Sequence, residues 1–165
     1  LDLQRNKFKT AGAVALADSL KVNFTLTSLS LEKNYIDIAG AVAIADALKV
    51  NKALTSLNLQ ENWISYKGAR AIADTLQENT TLTSLDLSKN NIAQEVAAYI
   101  ATALTYNPTL IHLKVDDFKQ SQRLYDNFKT TFHNLQGILN ILIGKDGAKV
   151  LGMAFQIKSR SIVLF

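Results

Sequence analysis

Two hydrophobic patterns follow one another along the chain and return together at a fixed interval. In Leu29-Ser30-Leu31-Glu32 apolar and polar residues alternate, the period-2 signature of a strand with one buried face. From Gly40 to Leu48 the apolar residues Ala41, Ile44, Ala45 and Leu48 recur at helical spacing and turn Asp46 and Lys49 away. A short strand followed by a helix is therefore predicted. The pair repeats: Leu26-Thr27-Ser28-Leu29 aligns with Leu54-Thr55-Ser56-Leu57, Leu82-Thr83-Ser84-Leu85 and Leu110-Ile111-His112-Leu113 at a constant 28 residues. Such a period marks a stacked array, with parallel strands side by side and helices covering one face. Strands stack about 4.8 Å apart whereas packed helices need roughly 8–10 Å, so the array bends with its sheet on the inner, concave side.

Two asparagine columns run through the rows. Asn6, Asn34, Asn62 and Asn90 fall between strand and helix, where an amide supplies donors and an acceptor to loop backbone groups of adjacent rows. A structural column is expected there rather than a ligand site. Asn23, Asn51, Asn79 and Asn107 follow each helix and read as its carboxy-terminal cap. Asn23-Phe24-Thr25 and Asn79-Thr80-Thr81 also match the glycosylation sequon, a weak signal on its own.

The pattern LxxLxLxxNxI, carried by Leu26, Leu29, Leu31, Asn34 and Ile36 and again from Leu54 and Leu82, resembles the leucine-rich repeat. The 28-residue row and the helix "GAVAIADAL" look like its ribonuclease-inhibitor class, most like the repeats of NOD-like receptors and of microbial proteins built from the same unit. The resemblance implies an α/β leucine-rich repeat solenoid, a horseshoe arc with a parallel concave sheet and convex helices. It also implies a cytoplasmic protein that binds other proteins.

Residues 1–112 read as four regular rows and 113–165 as an irregular row with a carboxy-terminal capping segment of the same solenoid. In the fifth row Phe118 occupies the asparagine position, and "KQSQRLYDNFKTTFH", 119–133, spaces Leu124, Phe128 and Phe132 as a helix would. The motif returns when Ile143 is laid on Ile36 and Gly147 on Gly40, which predicts a strand over Ile138–Leu142 and a helix over Gly147–Phe155. On that overlay the fifth row is five residues short, as a terminal repeat that departs from consensus would be. The apolar end Ile162–Phe165 offers an edge for homo-association or marks a cut through a longer array. With Leu1 already inside a row, the expectation is a fragment of something longer.

Composition narrows the function. The 165 residues are 48% hydrophobic and 19% charged, with no cysteine, so neither a disulfide framework nor a cysteine-ligated zinc is available. No apolar run approaches the ~18 residues of a membrane span. Lys and Arg balance Asp and Glu, ten against ten, over residues 1–112, while 113–165 carry eight against four. That excess, on Lys114, Lys119, Arg123, Lys129, Lys145, Lys149, Lys158 and Arg160, reads as a solvated face. It lacks the interleaved aromatics of a nucleic-acid site. His112 and His133 have no partner at metal-ligand spacing, and Gly144-Lys145-Asp146-Gly147 lacks the length of a phosphate-binding loop. Neither enzyme chemistry nor a cofactor is expected.

What remains is a surface for a protein partner on the concave face. The residues after the ladder asparagines form the column Lys7, Tyr35, Trp63, Asn91, which makes Tyr35 and Trp63 neighbours at the edge of that face, with Tyr66 in the next loop segment nearby. Large aromatics dominate binding hot spots. Tyr35, Trp63, Lys33 and Glu61 are the primary candidates, joined by Tyr66 and by the outward strand residues Asn58 and Asp86; the fold is not expected to need Lys33, Glu61, Asn58 or Asp86, while the aromatics have packing on each other or on the loop as the alternative. The alternative is a GTPase-activating protein, since one such family resembles this repeat type. Its usual acidic tail is basic here.

Overall fold

The structure is a computed structural model that describes residues 1–92, 96–115 and 141–142. Its elements alternate along the chain: α1 (Lys9–Val22), β1 (Ser28–Ser30), α2 (Ile38–Val50), β2 (Ser56–Asn58), α3 (Ser65–Leu76), β3 (Ser84–Asp86), α4 (Val96–Tyr106), β4 (His112–Lys114) and β5 (Ile141–Leu142). The strands form one parallel sheet in the order β1-β2-β3-β4-β5. Register follows the repeat: Leu29 lies beside Leu57, Leu57 beside Leu85 and Leu85 beside Leu113. Asp2 adds a bridge to Ser30 at the free side of β1.

Each of the strands β1–β4 buries its central leucine and leaves its neighbours at least partly exposed, as period-2 patterning requires. The core is a stack of identical layers, with Leu29, Leu31, Ile36, Ile44 and Leu48 of one row above Leu57, Leu59, Ile64, Ile72 and Leu76 of the next. Helices approach closely because glycine stands at the contact. A Cβ on Gly68 would lie 2.7 Å from Ile64 Cγ2 and 2.9 Å from Ala41 Cβ, and one on Gly40 would lie 2.8 Å from Ile36 Cγ2 and 2.9 Å from Ala13 Cβ.

Both asparagine columns are structural. Asn62 Oδ1 accepts from the backbone N–H of Asn34 and of Ile36, each at 3.0 Å, and its Nδ2 donates to Leu31 O and Leu59 O at 3.0 and 2.9 Å. Asn90 and Asn34 serve the neighbouring turns in the same way. In the second column Asn51, Asn79 and Asn107 reach into the preceding row, while Asn23 bonds locally to Thr25 and Leu26. Asn51 Nδ2 donates to Leu20 O of the preceding helix, and its Oδ1 accepts from Leu54 N at the entry to β2. Asn79 is buried to 1% exposure and bound to Leu48 O, so its sequon offers no accessible amide, whereas Asn23 is exposed.

Two sequence expectations change. Helix α2 starts at Ile38 rather than Gly40, because Asp37 caps it: Oδ1 accepts from Gly40 N at 3.0 Å and Oδ2 from Thr10 Oγ1 at 2.7 Å. A strand is found at Ile141–Leu142, inside the expected Ile138–Leu142, but the five-residue shortening is not, for Ile141 pairs with Leu113 and Leu142 with Lys114, which keeps the 28-residue step. Overlaying a helix-side motif could not detect this, since register is fixed by backbone pairing to β4 and not by the residues that follow. The helices expected over 119–133 and Gly147–Phe155, and the apolar end Ile162–Phe165, lie outside the described residues.

Candidate protein-binding face

The parallel ladder does not stop where the strands do. Beyond β1 and β2, Lys33 N donates to Gln60 O, Glu61 N to Ser88 O and Trp63 N to Ile36 O, so the turns of successive rows stay stacked. The backbone takes left-handed φ values on both sides of Asn6, Asn34 and Asn90, 59° and 57° at Arg5 and Lys7, 57° at both Lys33 and Tyr35, and 57° and 54° at Lys89 and Asn91, whereas at Asn62 only the preceding Glu61 does so, at 55°. For residues with a Cβ this conformation costs of order 1 kcal/mol each, a cost the buried amide bonds offset. The amide therefore points inward while both flanking side chains stand on the surface.

These side chains line a shallow groove of about 390 Å³, formed by Arg5, Lys7, Lys33, Tyr35, Glu61 and Trp63. Tyr35 and Trp63 meet across the row boundary with ring centroids 4.8 Å apart and planes inclined at 52°. Trp63 is nevertheless 62% exposed, so one partner has not buried it. Glu61 sits between two lysines, with Lys33 Nζ at 3.3 Å and Lys89 Nζ at 3.4 Å. Partial desolvation pushes the Glu61 carboxyl up, and the hydrogen bonds and charges of Lys33 and Lys89 more than reverse this, leaving it below its ordinary value. It is ionised at neutral pH.

The remaining candidates lie elsewhere. Tyr66 belongs to the first turn of α3 rather than to a loop, is exposed, and does not line the groove. Asn58 and Asp86 face the concave side as half-buried residues, and each also closes a turn: Asn58 Oδ1 accepts from Gln60 N and Asp86 Oδ1 from Ser88 N, both at 2.9 Å. Asp86 also lies 3.7 Å from Lys114 Nζ. These two residues thus serve the fold as well as the surface, contrary to the sequence expectation. Arg5 and Lys7 join the groove in addition to the candidates expected from sequence, in the columns of Lys33 and Tyr35. Among the described residues no group of three or more His, Cys, Asp or Glu is placed to hold a metal, and no helix is long and apolar enough to cross a membrane.

The leucine-rich repeat family model matches residues 1–17, 22–45, 50–73 and 78–101, more than half of the chain. No curated protein matches by sequence. Among solved structures, the chain is similar to one titled leiomodin-1 actin-binding site 2, at a TM-score of 0.66 and 26% identity, covering 93% of this chain and 86% of that one. It also resembles the tropomodulin C-terminal domain of Caenorhabditis elegans at a TM-score of 0.67 and 11% identity, over 81% of each chain, a likeness of fold.

Proposed function

Since this chain belongs to the leucine-rich repeat family, we propose that it is a non-enzymatic scaffold that holds a partner protein at the edge of its concave face. The observation that carries this reading is the Tyr35–Trp63 pair, in which a tryptophan remains 62% exposed on a rigid, hydrogen-bonded turn. A fixed, incompletely buried aromatic loses little entropy when a partner covers it. The matching structure of leiomodin-1 is an actin-binding site, which makes actin the first partner to test and a cytoplasmic setting the natural one. The 28-residue row with its full helix supports the ribonuclease-inhibitor class of repeat, while a NOD-like receptor setting rests on the sequence pattern alone.

The test is binding to monomeric and filamentous actin by the native chain and by a Tyr35→Ala, Trp63→Ala variant, with circular dichroism to check folding. A hot-spot pair should weaken binding at least about thirtyfold. Equal binding by both would move the site off this groove. No actin binding would remove actin, and capture from extract with the same variant would then identify the partner. The alternative, a GTPase-activating protein, predicts faster GTP hydrolysis by a small GTPase when the chain is added; an unchanged rate excludes it.

A further inference from the structure

We infer that the groove selects an acidic segment of the partner, with an apolar or aromatic side chain laid on Trp63 and carboxylates paired with Arg5 and Lys7. This rests on the reading of the groove as the binding site and adds the chemistry of what enters it. Three cations and one carboxylate line the groove, a surplus of two positive charges. The surplus is not neutralised internally. Glu61, the only lining carboxylate, is engaged by Lys33 and Lys89, and Lys33 also lies 3.7 Å from Glu32. Neither Arg5 nor Lys7 has a carboxylate within ion-pair distance among the described residues.

Asp2, the nearest acidic residue in sequence, accepts from Gln4 N and Gln4 Nε2 at 3.1 and 3.2 Å instead. Arg5 and Lys7 are held apart on opposite sides of Asn6 by left-handed backbone and stand beside an exposed aromatic platform. Two cations without a carboxylate partner among the described residues, next to an exposed aromatic pair, complement a peptide that alternates carboxylates with one large apolar residue. A basic segment would meet repulsion from the same pair.

The repeat supplies its own conservative variants. Glu61 occupies in the third row the place of Arg5 in the first, and Asn91 in the fourth the place of Lys7, all with left-handed φ. Arg5→Glu with Lys7→Asn therefore reverses the charge using residues this backbone already accepts. The probes are a fluorescent twelve-residue peptide of Asp and Glu with one central Phe, its all-Lys counterpart, and the acidic peptide with Ser for Phe. The acidic Phe peptide should bind most tightly. The double substitution should weaken it roughly five- to tenfold at low salt, since each exposed pair contributes a few-fold, and the difference should shrink as salt rises. Equal binding of the Lys peptide, no saturable binding of the acidic one, or indifference to the double substitution would overturn the inference. If a protein partner is lost with Trp63→Ala but kept with the double substitution, the site stands and the acidic partner falls. Loss of neither removes both.

Discussion

Removing the amide of Asn62 tests the ladder most directly, because the same side chain at Asn6 provides an internal control. In the folded protein Asn62 is 3% exposed and satisfies five backbone groups. Asn62→Ala leaves the N–H groups of Asn34 and Ile36 buried without an acceptor and takes a donor from the carbonyls of Leu31, Leu59 and Gln60. At about 1–3 kcal/mol for each orphaned buried donor, the two N–H groups alone set a loss of about 2–6 kcal/mol, a large fraction of a domain's stability. Asn6 is exposed and, among the described residues, its Nδ2 donates only to Gln4 O, at 3.0 Å. Its replacement by Ala should cost less than about 1 kcal/mol. Urea titration followed by far-ultraviolet circular dichroism measures both, with the slope compared so that a midpoint shift reports stability. Equal losses at the two positions, or a loss below about 1 kcal/mol for Asn62→Ala, would refute the view that buried amide bonds hold the turns.

The same titration separates the two faces of β2: Leu57→Ala should cost about 2–5 kcal/mol and Ser56→Ala under about 0.5. Similar values would contradict the strand assignment. Gly68→Ala forces a methyl within 3 Å of Ile64 and Ala41, and should lower stability by about 1–3 kcal/mol, read as a reduced Tm. Asp37→Ala removes the cap of α2 and should cost about 1 kcal/mol near neutral pH. The hydrogen bond from Gly40 N, then that from Thr10, holds the Asp37 carboxyl below its ordinary 3.8. The contribution of Asp37 is therefore complete above the unfolded value and is lost as pH falls through the lower folded one. The stability gap between native and variant should stay constant from pH 7 to about 5 and close below about pH 3.8; a gap that widens on acidification would contradict the capping role.

Much of the groove was legible in the rows. Tyr35 and Trp63 are consecutive members of one column, and a parallel stack with a constant step must bring them together, as the 4.8 Å ring separation records. Tyr66 was less legible, since it follows Trp63 by three residues, which carry it into the first turn of α3 and away from the groove. Arg5 and Lys7 share the columns of Lys33 and Tyr35, but their charges gain meaning only once the carboxylates around them are seen to be engaged elsewhere. The structural duties of Asn58 and Asp86 depend on an acceptor two residues before a backbone N–H, a short-range turn signal that alternation along a strand does not display.

The architecture of this protein follows from its amino-acid pattern alone. A period of 28 residues with a leucine ladder, an inward asparagine and an apolar helical stripe admits one way of burying its hydrophobic positions: each row against the next, strands on one side and helices on the other. Which surface positions are committed and which are free emerges from the packing of the rows in three dimensions. Hydrogen bonds and ion pairs between rows are set by distances of a few ångströms, and no pattern along a single chain records them. They bind Glu61 between two lysines, use Asn58 and Asp86 to close turns, and leave Trp63 uncovered beside Arg5 and Lys7.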